Sequence, residues 1–209
     1  MGCDMRLTIF GATGRTGAHL VQQALDDGHE VTAVVRGRHQ LPQRARMVAF
    51  DPAELAGAVA GADAVLSAIG SREKGPTSVQ ADTIQMIAKA MAATGTRRLL
   101  VMSNSARIAG PGDDPFTRYV VKPLILRNLL RHSLTDMSRA EEVVRGSGLD
   151  WTIVRAPQLT DKPGKGSYRT AIDRNVTFGV RITRPDLARC VLTLAADPSA
   201  VHHHVNVAN

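Results

Sequence analysis

The sequence predicts an α/β fold in which a doubly wound, mostly parallel sheet is flanked by helices. Short runs rich in β-branched residues alternate with longer stretches of helical periodicity from the start of the chain. Strands that are joined through helices must run parallel to one another. With 209 residues the chain can bury one sizeable core. We therefore expect a single domain over 1–209.

The first half of the chain predicts a strand, a helix and a second strand, followed by further strands and one long helix. The opening β-α-β unit is predicted at Arg6 to Phe10, about Arg15 to Asp27 and Glu30 to Arg36. The later elements are strands at about Arg46 to Phe50, Asp63 to Ile69 and Arg97 to Met102, and a helix at about Thr77 to Ala93. That helix has apolar residues at helical spacing.

The second half extends the same pattern. Ser133 followed by Asp136 is typical of a capping box, so we expect a helix to begin there and to end near Arg145. A strand is predicted next at Trp151 to Arg155, and the Gly- and Lys-rich stretch from Thr160 to Gly166 is typical of a loop. The last elements are a helix through Ala196 that has Pro185 in its first turn, and a strand near Val205 to Ala208.

A glycine-rich turn joins the first strand to the first helix. Gly11, Gly14 and Gly17 form a G-x-x-G-x-x-G pattern at this junction. Glycines here allow a tight turn and a close approach of the backbone to a pyrophosphate, and the helix N-terminus offers free N–H groups. The position of this turn predicts a Rossmann-like sheet that binds a dinucleotide.

The end of the second predicted strand indicates which dinucleotide is bound. NAD sites usually place Asp or Glu there, but this chain has Arg36 and Arg38. A guanidinium would pair with a 2′-phosphate through two charge-assisted hydrogen bonds, so NADPH/NADP is favoured, although a solvated arginine loop is the alternative. Asp51, after the third strand, is a candidate for the adenine edge or else for ordinary turn chemistry.

The charge of the chain indicates an anionic small-molecule partner. The net charge is +7 and the pI is about 10.1, which favours anions, but only 3% of the residues are aromatic. No basic run is interleaved with stacking residues, so we expect no nucleic-acid partner. No long apolar run is typical of a membrane span, so no membrane partner is expected.

The cysteines and histidines predict neither disulfides nor a metal site. Cys3 and Cys190 are the only cysteines, which is typical of a reducing compartment. His202, His203 and His204 are consecutive, and consecutive side chains of an extended segment alternate between faces, so a shared metal ion is disfavoured. The strand from Leu7 begins too early to leave room for a signal peptide. We expect a cytoplasmic protein.

With these motifs the chain resembles the atypical short-chain dehydrogenases that have NmrA-like NAD(P)-binding domains, particularly the biliverdin reductase B/flavin reductase group. The matching stretches are Phe10 to Gly17, Glu30 to Arg36, Asp63 to Gly70, Ser147 to Val154 and the loop from Asp161 to Tyr168. The resemblance covers nearly the whole chain. It implies cofactor contacts at Gly11, Thr13, Gly14, Arg15, Thr16, Arg36, Ile69, Gly70, Ser103, Asn104 and Ser105.

The residues that would act on a substrate depart from the family pattern. The Tyr-x-x-x-Lys pair of short-chain dehydrogenases is absent, although Tyr119 and Lys122 would share one helical face. Gln158 replaces a histidine of the resembled group and can hydrogen-bond a substrate but cannot supply a proton at a suitable pKa. Ser105 is the main candidate to orient substrate or relay a proton, with an ordinary capping serine as the alternative.

Two segments are predicted to form a substrate lid, about 107–131 and 160–168. The first contains Phe116 and Tyr119, and the second contains Tyr168. The expected function is an NADPH-dependent reductase that transfers hydride to a flavin, tetrapyrrole, quinone or enone-like acceptor. The alternatives are a non-catalytic NADP(H)-sensing regulator and a tailoring or epimerase-type enzyme that uses bound NADP. We expect a monomer or homodimer.

Overall fold

The architecture follows from a computed structural model, which describes residues 4–37, 41–70, 77–105 and 131–209. Its main sheet has eight strands: β1 Arg6–Phe10, β2 Glu30–Val35, β3 Arg46–Ala49, β4 Ala64–Ser67, β5 Arg98–Asn104, β6 Asp150–Ala156, β8 Arg169–Ile172 and β10 His203–Ala208. Their order across the sheet is β3-β2-β1-β4-β5-β6-β10-β8. All neighbouring pairs are parallel except β10 and β8. The prediction of a Rossmann-like, mostly parallel sheet is confirmed.

Helices cover both faces of this sheet in the described part of the chain. They are α1 Arg15–Asp26, α2 Leu55–Val59, α3 Val79–Thr94, α4 Arg131–Arg145 and α5 Arg184–Ala195. One apolar cluster joins α1 and α5 to the sheet, and a second joins α2, α3 and α4 to the other face. Because both faces are buried, the central strands read as continuous apolar runs rather than alternating ones. None of the described helices is long and apolar enough to cross a membrane.

The strand order places β1 where the chain reverses its direction across the sheet. β1 pairs with β2 on one side and with β4 on the other. The helices that follow β1 and β4, which are α1 and α3, lie on opposite faces of the sheet and leave a crevice at the carboxyl ends of these strands. The glycine-rich turn begins at Gly11, directly after β1, and so it lies in that crevice.

A second, two-stranded sheet was not foreseen from the sequence. It consists of β7 Gln158–Thr160 and β9 Arg181–Thr183, which run parallel with Gln158 opposite Arg181. Each strand has only three residues, too few to show a period of two. Since β7 begins two residues after β6 ends, this small sheet lies beside the carboxyl end of β6.

The predicted capping box at Ser133 is wrong. Helix α4 is already helical at Arg131, so Ser133 lies inside it. The carboxylate of Asp136 is fully buried and accepts hydrogen bonds of 3.0 Å from the backbone N–H groups of Gln80 and Ala81. Asp136 therefore caps the first turn of α3 and fixes α4 against it, instead of capping its own helix.

Candidate functional site

The turn after β1 is built so that only glycine fits at Gly11. Its φ is +74°, in the left-handed region, and a Cβ there would lie 2.9 Å from the backbone carbonyl atoms of Ala68. The turn therefore lies directly against the end of β4. The N–H of Gly14 donates to the Gly11 carbonyl at 2.9 Å, which closes the turn.

The N-terminus of α1 is open for an anion. Gly14 is its N-cap residue, no side chain caps the first turn, and the first turn contains no acidic residue. A Cβ at Gly17 would overlap the carbonyl oxygen of Gly11, so helix and strand approach closely only because residue 17 is glycine. Unpaired N–H groups and the helix dipole make this a site for phosphate groups, and Thr13 and Thr16 flank it with hydroxyls.

Arg36 directly follows the last residue of β2 and is exposed. The N–H of Phe50 donates to the Val35 carbonyl at 2.8 Å, so Arg36 and Asp51 lie at the same edge of the sheet. One carboxylate oxygen of Asp51 accepts from the Ala53 N–H at 2.9 Å, which is turn chemistry at the start of α2. No carboxylate ends β2, as NAD-type sites would have.

The ends of β4 and β5 continue the site away from the turn. Ile69 and Gly70 follow β4, and Ile69 N lies close to the position that a Cβ on Gly11 would occupy. Asn104, the last residue of β5, is opposite Ala156 at the end of β6. Ser105 comes next and is partly buried. The structure therefore brings Asn104, Ser105 and the start of β7 to one edge.

Ser103 belongs to a buried network rather than to the open edge. Its hydroxyl donates to Glu141 Oε1 at 2.6 Å, on the face covered by α4. Arg155 donates to the same carboxylate through Nε at 3.2 Å and Nη2 at 2.6 Å. Ser103, Glu141 and Arg155 are all less than a tenth exposed. The side chain of Ser103 is thus engaged inside the protein and not at the open edge of the sheet.

Sequence reasoning missed this network, although the sequence contained a signal for it. Glu141 occupies the same helical stripe as buried Ala140 and Val144, and Arg155 alternates with Trp151 and Ile153 in a central strand. Both charged residues occupy positions at which the periodicity of the helix or of the strand predicts a buried apolar side chain. Two opposite charges at such positions indicate a buried ion pair. The pair ties α4 to the end of the sheet at which the candidate site lies.

Arg15 is held at the mouth of the phosphate turn by an acidic residue of the loop after β7. Arg15 Nη1 lies 2.7 Å from Asp161 Oδ2, and both side chains are mostly exposed. The other oxygen of Asp161 lies 2.5 Å from Nη1 of Arg184, whose side chain is buried. Asp161 therefore joins the first residues of α1 and α5.

The loop at 160–168 is anchored through Asp186. Its carboxylate accepts from the N–H groups of Lys165 at 2.9 Å and Gly166 at 3.1 Å, and from the Thr183 hydroxyl at 2.7 Å. Burial alone would raise the pKa of Asp186, but these hydrogen bonds lower its pKa below the ordinary value. The loop is consequently fixed against the N-terminus of α5.

Two of the predicted substrate residues lie in different places. Gln158 is exposed beside Arg181, whose Nε donates to Gln158 Oε1 at 3.1 Å, close to the ends of β5 and β6. Tyr168 packs against the α1/α5 apolar cluster, and its hydroxyl lies 3.4 Å from Thr193 in the last turn of α5. Arg98, at the start of β5, donates to carbonyls of that same turn, so the turn lies at the opposite end of β5 from Ser105. The structure therefore does not bring the Tyr168 side chain to Gln158 and Ser105.

Three predicted site residues lie outside the described residues: Arg38, Phe116 and Tyr119. The first predicted lid segment, 107–131, falls there too, apart from its last residue. Among the described residues, no group of three His, Cys, Asp or Glu side chains is placed to hold a metal ion. His203 and His204 contact Asp173, whereas His202 turns to the Leu149 carbonyl.

The residues present fit a dinucleotide. The cradle at Gly11 and Gly17 would be filled by a Cβ, the first turn of α1 is uncapped, and a cation rather than a carboxylate follows β2. When bound, such a cofactor supplies a hydride from its nicotinamide. The chain itself supplies the phosphate cradle, and Asn104, Ser105 and Gln158 lie at the edge where an acceptor would enter.

Comparison with known proteins agrees with this geometry. A family model described as NAD(P)H-binding matches residues 11–198. A Bacillus subtilis protein described as an uncharacterized sugar epimerase is 27% identical over 90% of this chain and 86% of its own length.

Solved structures show the same fold. A short-chain dehydrogenase/reductase from Veillonella parvula in complex with NADP has a TM-score of 0.81 at 20% identity, over 99% of this chain and 95% of that chain. A putative NADH-flavin reductase from Streptococcus pneumoniae has a TM-score of 0.82 at 23% identity, over 98% and 99% of the two chains.

The family match includes the phosphate turn, β2 and the ends of β4, β5 and β6, so it spans every described element of the candidate site. The structural likeness extends over nearly the whole of each chain. The protein is therefore a member of the NAD(P)H-binding family, with the Rossmann-like fold of the short-chain dehydrogenases/reductases.

Proposed function

We propose that the protein is an NADPH-dependent reductase that transfers a hydride to a conjugated small-molecule acceptor. The observation that carries this proposal is the pairing of an uncapped phosphate turn with Arg36 at the end of β2. A guanidinium in that place matches a 2′-phosphate, which NADPH has and NADH lacks. The Veillonella protein of the same fold binds NADP, which supports the proposal.

The nature of the acceptor follows from the side chains at the open edge. Asn104, Ser105 and Gln158 donate and accept hydrogen bonds, but none of them ionises as an acid near neutral pH. A simple ketone would need a proton donor at its developing alkoxide. A flavin, tetrapyrrole or quinone instead delocalises the added electron pair and takes its proton from water, with Ser105 to orient it or to relay the proton.

Positioning is then the main contribution of the protein. The cradle would fix the phosphates of the cofactor, and the ends of β4 and β5 would place the nicotinamide beside the acceptor. The Streptococcus neighbour, described as a putative NADH-flavin reductase, supports a flavin-like acceptor. Burial raises the pKa of the Cys190 thiol to about 12, so this cysteine stays protonated and is a packing residue rather than a nucleophile.

The test is oxidation of NADPH and of NADH with FMN, a quinone and a biliverdin-type tetrapyrrole as acceptors. Arg36→Ala should raise KM for NADPH about 10- to 100-fold, which corresponds to the loss of charge-assisted hydrogen bonds, and should alter KM for NADH far less. Arg46→Ala is the matched control, because Arg46 is an exposed arginine at the opposite end of β3. Equal losses with both cofactors would refute the assigned 2′-phosphate contact, and no oxidation by any acceptor would refute the reductase.

An epimerase-type reaction is the second candidate, since the Bacillus relative is described as a sugar epimerase. Such an enzyme returns the hydride to its substrate and consumes no cofactor. Conversion of a nucleotide-linked or free sugar without net change in NADP would favour this candidate. Binding of NADPH with neither reaction would favour a sensor that responds to the cofactor.

A further inference from the structure

The segment between β8 and β9 exposes large apolar side chains beside the candidate site. Phe178 is 72% exposed and Val180 is 60% exposed. Phe178 has a φ of 55°, in the left-handed region that non-glycine residues rarely adopt. The left-handed backbone and the exposure of the aromatic ring to water are both unfavourable for the free chain. Such a combination points to a ligand that covers the ring.

The position of this segment is fixed by close contacts. The N–H of Gln158 donates to the Val180 carbonyl at 3.3 Å, and the N–H of Asn209 donates to the Arg181 carbonyl at 2.9 Å. A Cβ at Gly179 would lie 2.8 Å from the Cβ of Ala208, so the segment packs tightly on the end of β10. Phe178 and Val180 therefore lie at the end of the sheet where β6 and β10 finish, next to Gln158.

The surroundings of the two apolar side chains are basic. Arg181 uses Nε to bind Gln158, and no hydrogen bond within the described residues occupies its terminal nitrogens. Arg169 is paired with Ala208 at the end of β10, and it donates to the Thr177 carbonyl at 2.9 Å. The carboxylate of Asp173 is engaged by His203 and by the N–H of His204 at the start of β10, at the opposite end of that strand from this surface. An occupant of this surface meets uncompensated positive charge.

We propose that Phe178, Val180 and Arg181 form the binding surface for a planar aromatic acceptor that carries an anionic group. The ring of the acceptor packs on Phe178 and Val180, and its phosphate or carboxylate pairs with the terminal nitrogens of Arg181. Gln158, held by Arg181, hydrogen-bonds the polar edge of the ring. This assignment rests on the proposed reductase function and names the substrate class of that site.

The probes are FMN and riboflavin, which share the same ring system and ribityl chain and differ only in the phosphate. Their binding is measured by quenching of flavin fluorescence with NADP present, so that no turnover is needed. Arg181→Gln should raise the Kd of FMN on the order of tenfold, the size of one charge-assisted hydrogen bond, and leave the Kd of riboflavin unchanged. Phe178→Ser should raise both Kd values on the order of tenfold, as for loss of an aromatic stack.

The matched control is Met47→Ser, which removes an apolar side chain that is 52% exposed on β3, at the other edge of the sheet. It should leave both Kd values unchanged. The surface assignment is overturned if Arg181→Gln weakens both flavins equally, if Phe178→Ser acts like Met47→Ser, or if the wild type binds neither flavin. Loss of self-association in Phe178→Ser with flavin binding intact would instead identify a second copy of the chain as the occupant.

The same variants separate this assignment from the proposed function. Flavin binding that the two substitutions weaken, without any oxidation of NADPH, would refute the reductase and support the surface. Oxidation of NADPH with flavin KM values that neither substitution changes would support the reductase and refute the surface.

Discussion

Arg15 Nη1 lies 2.7 Å from Asp161 Oδ2, which ties the first residue of α1 to the loop that follows β7. Because Arg15 is at the mouth of the phosphate turn, the carboxylate of Asp161 competes with any phosphate for this guanidinium. Removing that charge leaves a more positive site.

We therefore expect Asp161→Asn to lower the Kd of NADPH by about two- to fivefold at low salt, the size of one exposed charge interaction. The gain should shrink in concentrated salt, because screening weakens exposed charges most. Fluorescence titration with NADPH at two ionic strengths measures both effects. Asp26→Asn, at the far end of α1, is the control. Weaker binding by Asp161→Asn would show that Asp161 positions Arg15 rather than competing for it.

The close approach of α1 to β1 predicts a contrast between two glycines. A Cβ at Gly17 would overlap the Gly11 carbonyl oxygen, whereas a Cβ at Gly57 in α2 meets nothing within 4 Å. Gly17→Ala should abolish NADPH binding and lower the free energy of unfolding by several kcal/mol, about the cost of an overpacked core site. Gly57→Ala should raise that free energy by about 0.5–1 kcal/mol. Urea denaturation of both variants decides the matter.

If Gly17→Ala retained the stability and the NADPH affinity of the wild type, the turn would have room to relax, and the glycine would not be needed for cofactor binding.

The three-glycine turn was recognisable from the sequence because its meaning is local: a strand, a turn and a helix follow one another within a dozen residues. The same locality made the parallel orientation of the strands predictable, since strands joined by helical crossovers run parallel.

Contacts between distant segments were not predictable in this way. Asp136 has the spacing of a capping residue for its own helix, yet it caps α3 through Gln80, which is 56 residues away. Tyr168 lies within a loop that resembles the family pattern, but its hydroxyl meets Thr193 on α5. In both cases the side chain can reach several hydrogen-bond partners, and only the tertiary packing selects among them.

The pH dependence of stability should be governed near neutrality by His204. Burial lowers the pKa of His204 below its ordinary 6.5, and the Arg155 cation lowers it further. The unfolded chain therefore takes up a proton at a higher pH than the folded chain does. The stabilising contribution is fully present above about pH 6.5 and is lost progressively as the pH falls below it.

We expect the free energy of unfolding to fall between about pH 7.5 and pH 5.5 in the wild type, and to fall less in His204→Gln. The lowered carboxyl pKa values of Asp173 and Asp186 act only near about pH 4 and below. Urea titrations at both pH values give the slope directly. An identical slope in His204→Gln would assign the effect to another group.

The buried pair of Glu141 and Arg155 provides the last prediction. Glu141→Ala leaves the Arg155 guanidinium buried without its main partner and should lower the free energy of unfolding by about 3–5 kcal/mol. Ser103→Ala removes one hydrogen bond to a charged group and should cost about 1.5–3 kcal/mol. Glu142→Ala, at the exposed neighbouring position, should be close to neutral.

The double variant Glu141→Leu with Arg155→Leu tests whether the ion pair itself stabilises the fold. The alternative is that Glu141→Ala is destabilising only because it leaves the Arg155 cation buried and unpaired. Replacing both charges by apolar residues avoids the unpaired cation, so the double variant should be more stable than Glu141→Ala alone. Chemical denaturation of the four variants measures this. If the double variant were the least stable of them, the ion pair would be a net source of stability, and the end of the sheet would depend on it for its structure.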